Sequence, residues 1–203
     1  MLRFLAIVGT LCAVLSGCVS TADVTSALTP VGVISEEKAT FDDATIVRMS
    51  PAFLYREGAP LGVPIRLGAV WSDKTPDQVA LILAYSSNIA SGRAPYINFE
   101  GLDINIDGRI SEYDVGGLTT HDSSVYNTAS RTVYTYSRHV VVIPRELLES
   151  MLTAKDCRLR IRTNGGYEDA QFSIERIPGG QATAIVPMRD FMSRIESNLA
   201  RAR

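Results

Sequence analysis

Hydrophobic and polar residues alternate along many short stretches of the chain, and this two-residue period is typical of half-buried β-strands. Residues 79–85 form an almost continuous apolar run, which favours a strand buried on both faces. Segments rich in Gly, Pro, Asn or Ser separate the stretches and predict turns. The pattern therefore predicts strands at residues 45–49, 63–71, 79–85, 96–99, 102–106, 131–143, 157–163 and 171–176.

Two further segments repeat their apolar residues every three or four positions, which predicts amphipathic helices. They cover about residues 144–154 and about residues 187–200, and each opens at a proline, which the first helical position tolerates. The strands do not alternate with helices, so a doubly wound parallel sheet is disfavoured. We therefore predict a β-rich α+β domain, an antiparallel β-sandwich with one inserted and one C-terminal helix.

The chain begins with the pattern of a secretory signal. Arg3 precedes an apolar run over residues 4–15, and Ser16 and Gly17 supply a small-residue exit. The run is shorter than the roughly 20 residues that a spanning helix needs, which disfavours a permanent membrane span. The exit Leu15-Ser16-Gly17-Cys18 resembles the lipobox of bacterial lipoprotein precursors.

The resemblance implies that residues 1–17 are removed and that Cys18 becomes the acylated first residue of an exported protein. It implies a diacylglycerol on the sulfur and a further acyl chain on the amine, and several chains anchor a protein firmly. Val19 stands where an Asp would favour inner-membrane retention, which implies the periplasmic face of the outer membrane in a Gram-negative host. The alternative is an ordinary cleaved signal with a coincidental cysteine.

Composition narrows the class of partner and the redox chemistry. Residues 18–38, rich in Ser, Thr, Ala, Val and Asp, predict a flexible tether, and residues 39–203 predict a single globular domain. The mature chain keeps 19 basic and 22 acidic residues, a balance that argues against a nucleic-acid partner.

With Cys18 acylated, Cys157 is the lone thiol of the mature chain, so no internal disulfide forms. Its alternation with Leu159 and Ile161 predicts a buried structural thiol.

Residues 103–114 admit two interpretations. The segment resembles the calcium loop of an EF-hand, although a shorter Asp occupies the last ligand place and neither flank has a helical period. The favoured interpretation is a β-hairpin with a type I′ turn at Asp107-Gly108. The calcium resemblance would assign as ligands Asp103, Asn105, Asp107, the Arg109 carbonyl, Ser111 and Asp114.

The remaining chemistry is sparse. His121 stands beside Asp122 and two serines, which leaves a hydrolase as an alternative, whereas His139 is predicted at the surface of a sheet. The sequence has no zinc spacing, phosphate loop or dinucleotide fingerprint, so we expect no cofactor. We predict a non-enzymatic binding or structural protein whose partner is an envelope protein, a glycan or a small ligand, with the polar loops 86–95 and 116–130 as contact surfaces.

Overall fold

The computed structural model describes residues 31–59, 62–114 and 116–201. The predicted signal peptide, Cys18 and most of the predicted tether lie outside the described residues. The described chain forms ten strands and two helices: β1 (Ile34–Lys38), β2 (Thr45–Phe53), β3 (Ile65–Ser72), β4 (Gln78–Asn88), β5 (Phe99–Ile106), β6 (Arg109–Asp114), β7 (Thr120–Ser123), β8 (Tyr134–Pro144), α1 (Arg145–Thr153), β9 (Cys157–Thr163), β10 (Gly166–Gln171) and α2 (Ile185–Arg201).

The strands form two sheets, and every strand pair within them is antiparallel. The six-stranded sheet has the order β1-β2-β3-β4-β8-β7, and the four-stranded sheet has the order β10-β9-β5-β6. Together with α1 after β8 and α2 at the end of the described chain, this architecture confirms the predicted β-rich α+β, sandwich-like fold.

One hydrophobic core joins the inner faces of both sheets to the two helices. Leu67 of β3, Leu81 of β4 and Ile104 of β5 are fully buried, and these side chains come from both sheets, so the core lies between them. Outward residues alternate with the buried ones along β4, as the two-residue period of a strand requires. Trp71 is buried, and its indole N–H donates to the Pro76 carbonyl at 3.1 Å.

The two helices close the core beside the strands. Helix α1 contacts β4 and β8, helix α2 contacts β1 and β2, and the helices contact each other. The predicted apolar stripe of α2 is confirmed, because Met188, Phe191, Met192 and Ile195 are buried and Leu199 packs against the core. Within the described residues, no helix combines the length and the hydrophobicity needed to cross a bilayer.

The predicted boundary between tether and domain at residue 38 is wrong, because β1 pairs with β2 along Ile34–Lys38. Only Ile34 of this edge strand packs against the core, so no apolar alternation marks it in the sequence. Its remaining contacts include backbone hydrogen bonds, surface ion pairs such as Arg48–Glu37, and a hydrogen bond from Asn198 to Glu36. The domain therefore includes residues that composition assigned to the tether.

Several other predicted boundaries need correction. Residues 96–98 of the predicted strand 96–99 are not part of a strand, and β5 begins at Phe99. Residues 86–88 continue β4, and residues 120–123 form β7 within the predicted loop 116–130. All four residues of β7 are exposed, so this strand depends on backbone pairing with β8 and lacks an apolar signal. The predicted strand 171–176 is wrong, since β10 starts at Gly166, directly after the turn at residues 164–165.

Candidate functional site

The outer face of the four-stranded sheet carries a row of arginines from β9. Cys157, Leu159 and Ile161 alternate with them and are buried. Each arginine of the row forms an ion pair with a nearby acidic residue. The three ion pairs are Arg158 with Asp156 (2.9 Å), Arg160 with Asp169 (2.8 Å) and Arg162 with Asp114 (2.9 Å).

Arg162 reaches Asp114 by crossing β5, which lies between their strands. It crosses at Gly101, where a Cβ atom would collide with the guanidinium group. The Arg162 Nε atom also lies 3.2 Å from Asp103, without hydrogen-bond geometry. The glycine therefore lets one arginine neutralise acids on two neighbouring strands.

Charges of both signs line the groove on this face, which has a volume of about 500 Å³. Hydrogen bonding to Arg160 holds the pKa of Asp169 below its ordinary value, and Arg160 also lies over the ring of Tyr167 at 4.3 Å. The acids on the walls of this groove include Asp103 and Glu112. This face therefore satisfies most of its charge internally.

Cys157 has the properties predicted for a structural thiol. It is fully buried and forms no disulfide. Burial raises the pKa of Cys157 to about 12, and the nearby charges of Asp156 and Asp107 act in the same direction. The thiolate is therefore scarce at neutral pH, which makes the side chain a poor nucleophile.

Residues 103–114 form the predicted hairpin. β5 pairs with β6 across a turn in which Asp107 has φ 50° and Gly108 has φ 94°, as a type I′ turn requires. Asn105 Oδ1 accepts the Gly108 N–H at 2.9 Å, and Asp107 Oδ1 accepts the Asp156 N–H at 2.9 Å. The segment therefore does not have the form of an EF-hand loop.

The ligands that the calcium resemblance would use lie apart. Ser111 pairs with Ile104 and shares its inner side of the sheet, whereas Asp103 and Asn105 point to the outer side. Asp103 and Asp114 interact with Arg162 instead. Arg109 is the first residue of β6. Among the described residues, no three His, Cys, Asp or Glu side chains are grouped so that they could hold a metal ion.

A polar seam, defined as His121 of β7 with Thr135, Ser137 and His139 of β8, lies on the inner side of the six-stranded sheet near its β7 edge. The His121 Nδ1 atom lies 3.2 Å from Ser137 Oγ, and its Nε2 atom lies 2.9 Å from Asn98 Oδ1. A hydroxyl, an imidazole and an amide are thus connected in the order that nucleophilic catalysis uses.

Access argues against catalysis at this seam. Ser137 is only 1% exposed, and its Oγ atom accepts the Ile97 N–H at 3.1 Å. Asp122 pairs with Tyr136 and lies on the opposite side of the sheet from His121, where it accepts the Ser123 N–H. The consecutive residues His121, Asp122 and Ser123 therefore do not form a catalytic triad in the folded structure.

The prediction that His139 lies at the sheet surface is wrong. The side chain is buried, and neither ring nitrogen has a hydrogen-bond partner among the described residues. Burial lowers the pKa of His139, and the nearby Leu118 backbone partly offsets this effect. The ring lies 6.5 Å from that of Phe99, so His139 belongs to the space between the sheets.

The outer face of the six-stranded sheet is apolar at its centre. Cross-strand pairing aligns its outward residues in rows, and Val140 and Val142 are 47% and 52% exposed. We define the apolar patch as Val70, Ala80, Ile82, Val140 and Val142. Antiparallel sheets that face solvent ordinarily carry polar residues at such positions.

Three arginines border this patch. Arg48 of β2 pairs with Val70 in the register and forms an ion pair with Glu37. Arg66 of β3 and Arg138 of β8 both pair with Ala84 of β4, so they flank one small residue. Neither forms an ion pair among the described residues. Arg66 lies over the Phe53 ring at 4.5 Å, and desolvation lowers its pKa.

Arg66 and Arg138 line a groove of about 410 Å³, which we call the arginine groove. Its walls include the hydroxyl-bearing residues Ser86 and Tyr136 and no acidic residue of the described chain. The sequence pattern could have placed Arg66 and Arg138 on outward positions of their strands. It could not have brought them together, because that requires the strand order β3-β4-β8.

Comparison of the chain with protein-family models, with curated proteins and with solved structures found no match.

Proposed function

We propose that this chain is an exported lipoprotein, anchored through Cys18, that binds a partner in the cell envelope without catalysing a reaction. In a Gram-negative host it would face the periplasm from the outer membrane. Its binding surface is the outer face of the six-stranded sheet, and the partner is an envelope protein or a glycan. The observation that carries the proposal is an open sheet face that combines an apolar patch with two arginines for which the described chain supplies no acid partner.

The chemistry of this face supports binding. Exposed contiguous apolar residues mark interaction surfaces more often than isolated ones do. Interfaces are also enriched in arginine and aromatic residues. Arg66 and Arg138 adjoin the patch, and Tyr136 lies one row beyond them in the arginine groove. Branched aliphatic residues such as Val140 and Val142 favour a protein over a glycan as the partner at the patch itself.

The polar loops remain a second proposed contact region. Ile89 in one loop and Leu118, Val125 and Tyr126 in the other are exposed. Ile89 and Val125 lie at the end of the six-stranded sheet where β4 pairs with the start of β8, whereas the patch lies across the centre of that sheet.

The two alternative functions have less support. A calcium-binding module would need ligands that converge, and Ser111 faces away from Asp103. A hydrolase would need an accessible nucleophile, and Ser137 is covered.

The anchor is tested by metabolic labelling with a palmitate analogue. We expect the wild-type chain to be labelled and to fractionate with membranes, and we expect Cys18→Ala to lose both properties. The lipid is the cause in this account, since several acyl chains hold a protein at a bilayer. Equal labelling of the two chains would contradict the proposal.

The binding surface is tested by a photo-crosslinking amino acid at Val140 in intact cells. We expect a discrete adduct from this position and none from the matched position Glu112, which is exposed on the outer face of the other sheet. Adducts from both positions, or from neither, would contradict the assignment of the surface while leaving the anchor test unaffected.

A further inference from the structure

We infer that the arginine groove binds a phosphate group between Arg66 and Arg138. The inference rests on the proposed function, because it assigns a ligand class to part of the same sheet face. It is carried by two guanidinium groups, without ion pairs in the described chain, that border one groove without acidic walls.

The register sets the spacing of the two arginines. They occupy one row of the sheet with a single strand between them, which separates their backbones by roughly 10 Å. Ala84 fills the position between them with a methyl group only. Both side chains line the groove, so one ligand over Ala84 can contact both once the Arg66 guanidinium turns from Phe53 of β2 toward Ala84.

The adjacent row supplies neutral donors. Ser86 pairs with Tyr136, and both carry a hydroxyl group beside the Arg66–Ala84–Arg138 row. A terminal phosphate group presents three acceptor oxygens, whereas a carboxylate presents two. Donors from two arginines and from the hydroxyl row therefore match a phosphate group more fully, and the planar fork of arginine suits it.

The surrounding charges leave the two arginines available. Asp122 lies diagonal to Arg138, but its carboxylate accepts the Ser123 N–H and forms no ion pair with Arg138 among the described residues. Glu37 on the same face pairs with Arg48. Arg66 is half-buried without a neighbouring acid in the described chain to offset its desolvation, and its guanidinium lies 4.5 Å from the centre of the Phe53 ring on β2.

A phosphate group could reach the groove from a phospholipid headgroup or from a soluble phosphorylated molecule. Phosphatidic acid, a lipid phosphate monoester, and a soluble phosphate monoester both present a terminal phosphate group with three oxygens to the arginines. The test therefore uses the full chain, purified in a neutral detergent, with two probes. The first is glycerol phosphate against chloride at equal ionic strength, and the second is phosphatidic acid in the micelle against uncharged diacylglycerol.

Binding is read as the melting temperature of the domain. A ligand that binds only the folded state raises it by mass action, and a concentration tenfold above Kd should give about 3–6 °C. We expect this rise with at least one phosphate source. A rise with glycerol phosphate alone identifies a soluble ligand, and a rise with phosphatidic acid alone identifies a lipid headgroup.

Three variants locate the response. Arg138→Gln and Arg66→Gln should each abolish the rise, and Arg138 is exposed, so its replacement should not impair folding. The matched control Arg48→Gln removes an arginine of the same face that Glu37 already neutralises, and it should keep the rise. No rise from either source, or an equal rise in all variants, would overturn the inference. Loss of anchoring in the palmitate experiment would overturn the proposed function instead.

Discussion

The outer faces of the two sheets use arginine in opposite ways. On the four-stranded sheet, Arg160 and Arg162 meet acidic residues of neighbouring strands and are neutralised. On the six-stranded sheet, Arg66 and Arg138 share Ala84 as their neighbour and have no ion pair among the described residues. All four arginines occupy outward positions of strands, so the residue type alone does not distinguish them. What each arginine can bind is set by the residues that the register places beside it.

A glycine at an outward position marks each sheet, with a different physical role. Gly101 makes room for the mobile end of Arg162. Gly68 makes room for the Met49 carbonyl, which would lie 2.8 Å from a Cβ atom, and for Pro51, at 3.2 Å. The pairing of β2 with β3 shifts register next to Gly68, between Met49 and Ala52. At Gly101 the clash can be relieved because the end of the Arg162 side chain can move. At Gly68 it cannot, because the Met49 carbonyl belongs to the backbone.

We expect the largest effect from Gly68→Ala, a loss of about 3 kcal/mol in the free energy of unfolding, the upper end of ordinary overpacking costs. The matched variant Gly101→Ala should lose about 1 kcal/mol, because Arg162 can move away from its acids. Urea unfolding of both variants measures the difference. Equal losses would contradict the distinction between a fixed and a mobile neighbour.

The alternation of apolar residues predicted much of this fold. The strands containing Trp71, Leu81 and Ile143, and the apolar stripe of α2, lie where the sequence placed them because each must bury one face. The turn at Gly108 was predictable for a local reason, since a type I′ turn favours glycine. Such elements depend on burial or on local backbone geometry, and both can be read from the pattern of apolar residues and of turn residues in the sequence.

The remaining features depend on residues that are distant in sequence. β1 and β7 are held by pairing with β2 and β8, so no apolar period marks them. His139 was predicted at the surface because its inward orientation depends on the phase of β8, and a polar residue there contradicts the usual pattern. The arginine groove required the strand order, which pairs residues 66, 84 and 138.

A second variant tests the four-stranded sheet at its β5–β6 turn. Gly108→Val should cost about 1–3 kcal/mol, because a β-branched residue resists the positive φ of this turn, although the added Cβ itself would meet open space. Gly116→Val is the control, since Gly116 also has open space and lacks a positive φ. Thermal or urea unfolding measures both variants, and equal stability would contradict the role of the turn.

The same hairpin provides the test of the calcium alternative. Calcium should leave the melting temperature of the wild-type chain unchanged, because Ser111 and Asp103 lie on opposite sides of the sheet. A ligand of the folded state would raise it. An upward shift that Asp103→Ala abolishes would support the calcium alternative and would require the hairpin to rearrange.

The smallest expected effect tests whether internal pairing is what keeps the four-stranded face from binding phosphate. Asp169→Asn removes the acid that pairs with Arg160 at an exposed site, so the free energy of unfolding should fall by less than about 1 kcal/mol. In a chain that also carries Arg138→Gln, which removes the response of the arginine groove, we expect Asp169→Asn to restore a weak response to glycerol phosphate, at most about 2 °C in melting temperature. The reason is that Arg160 would then lack its bidentate partner. Adding Arg160→Gln should remove this response. If Asp169→Asn restores nothing, the difference between the faces does not arise from charge pairing, and the apolar surroundings of Arg66 and Arg138 must account for it.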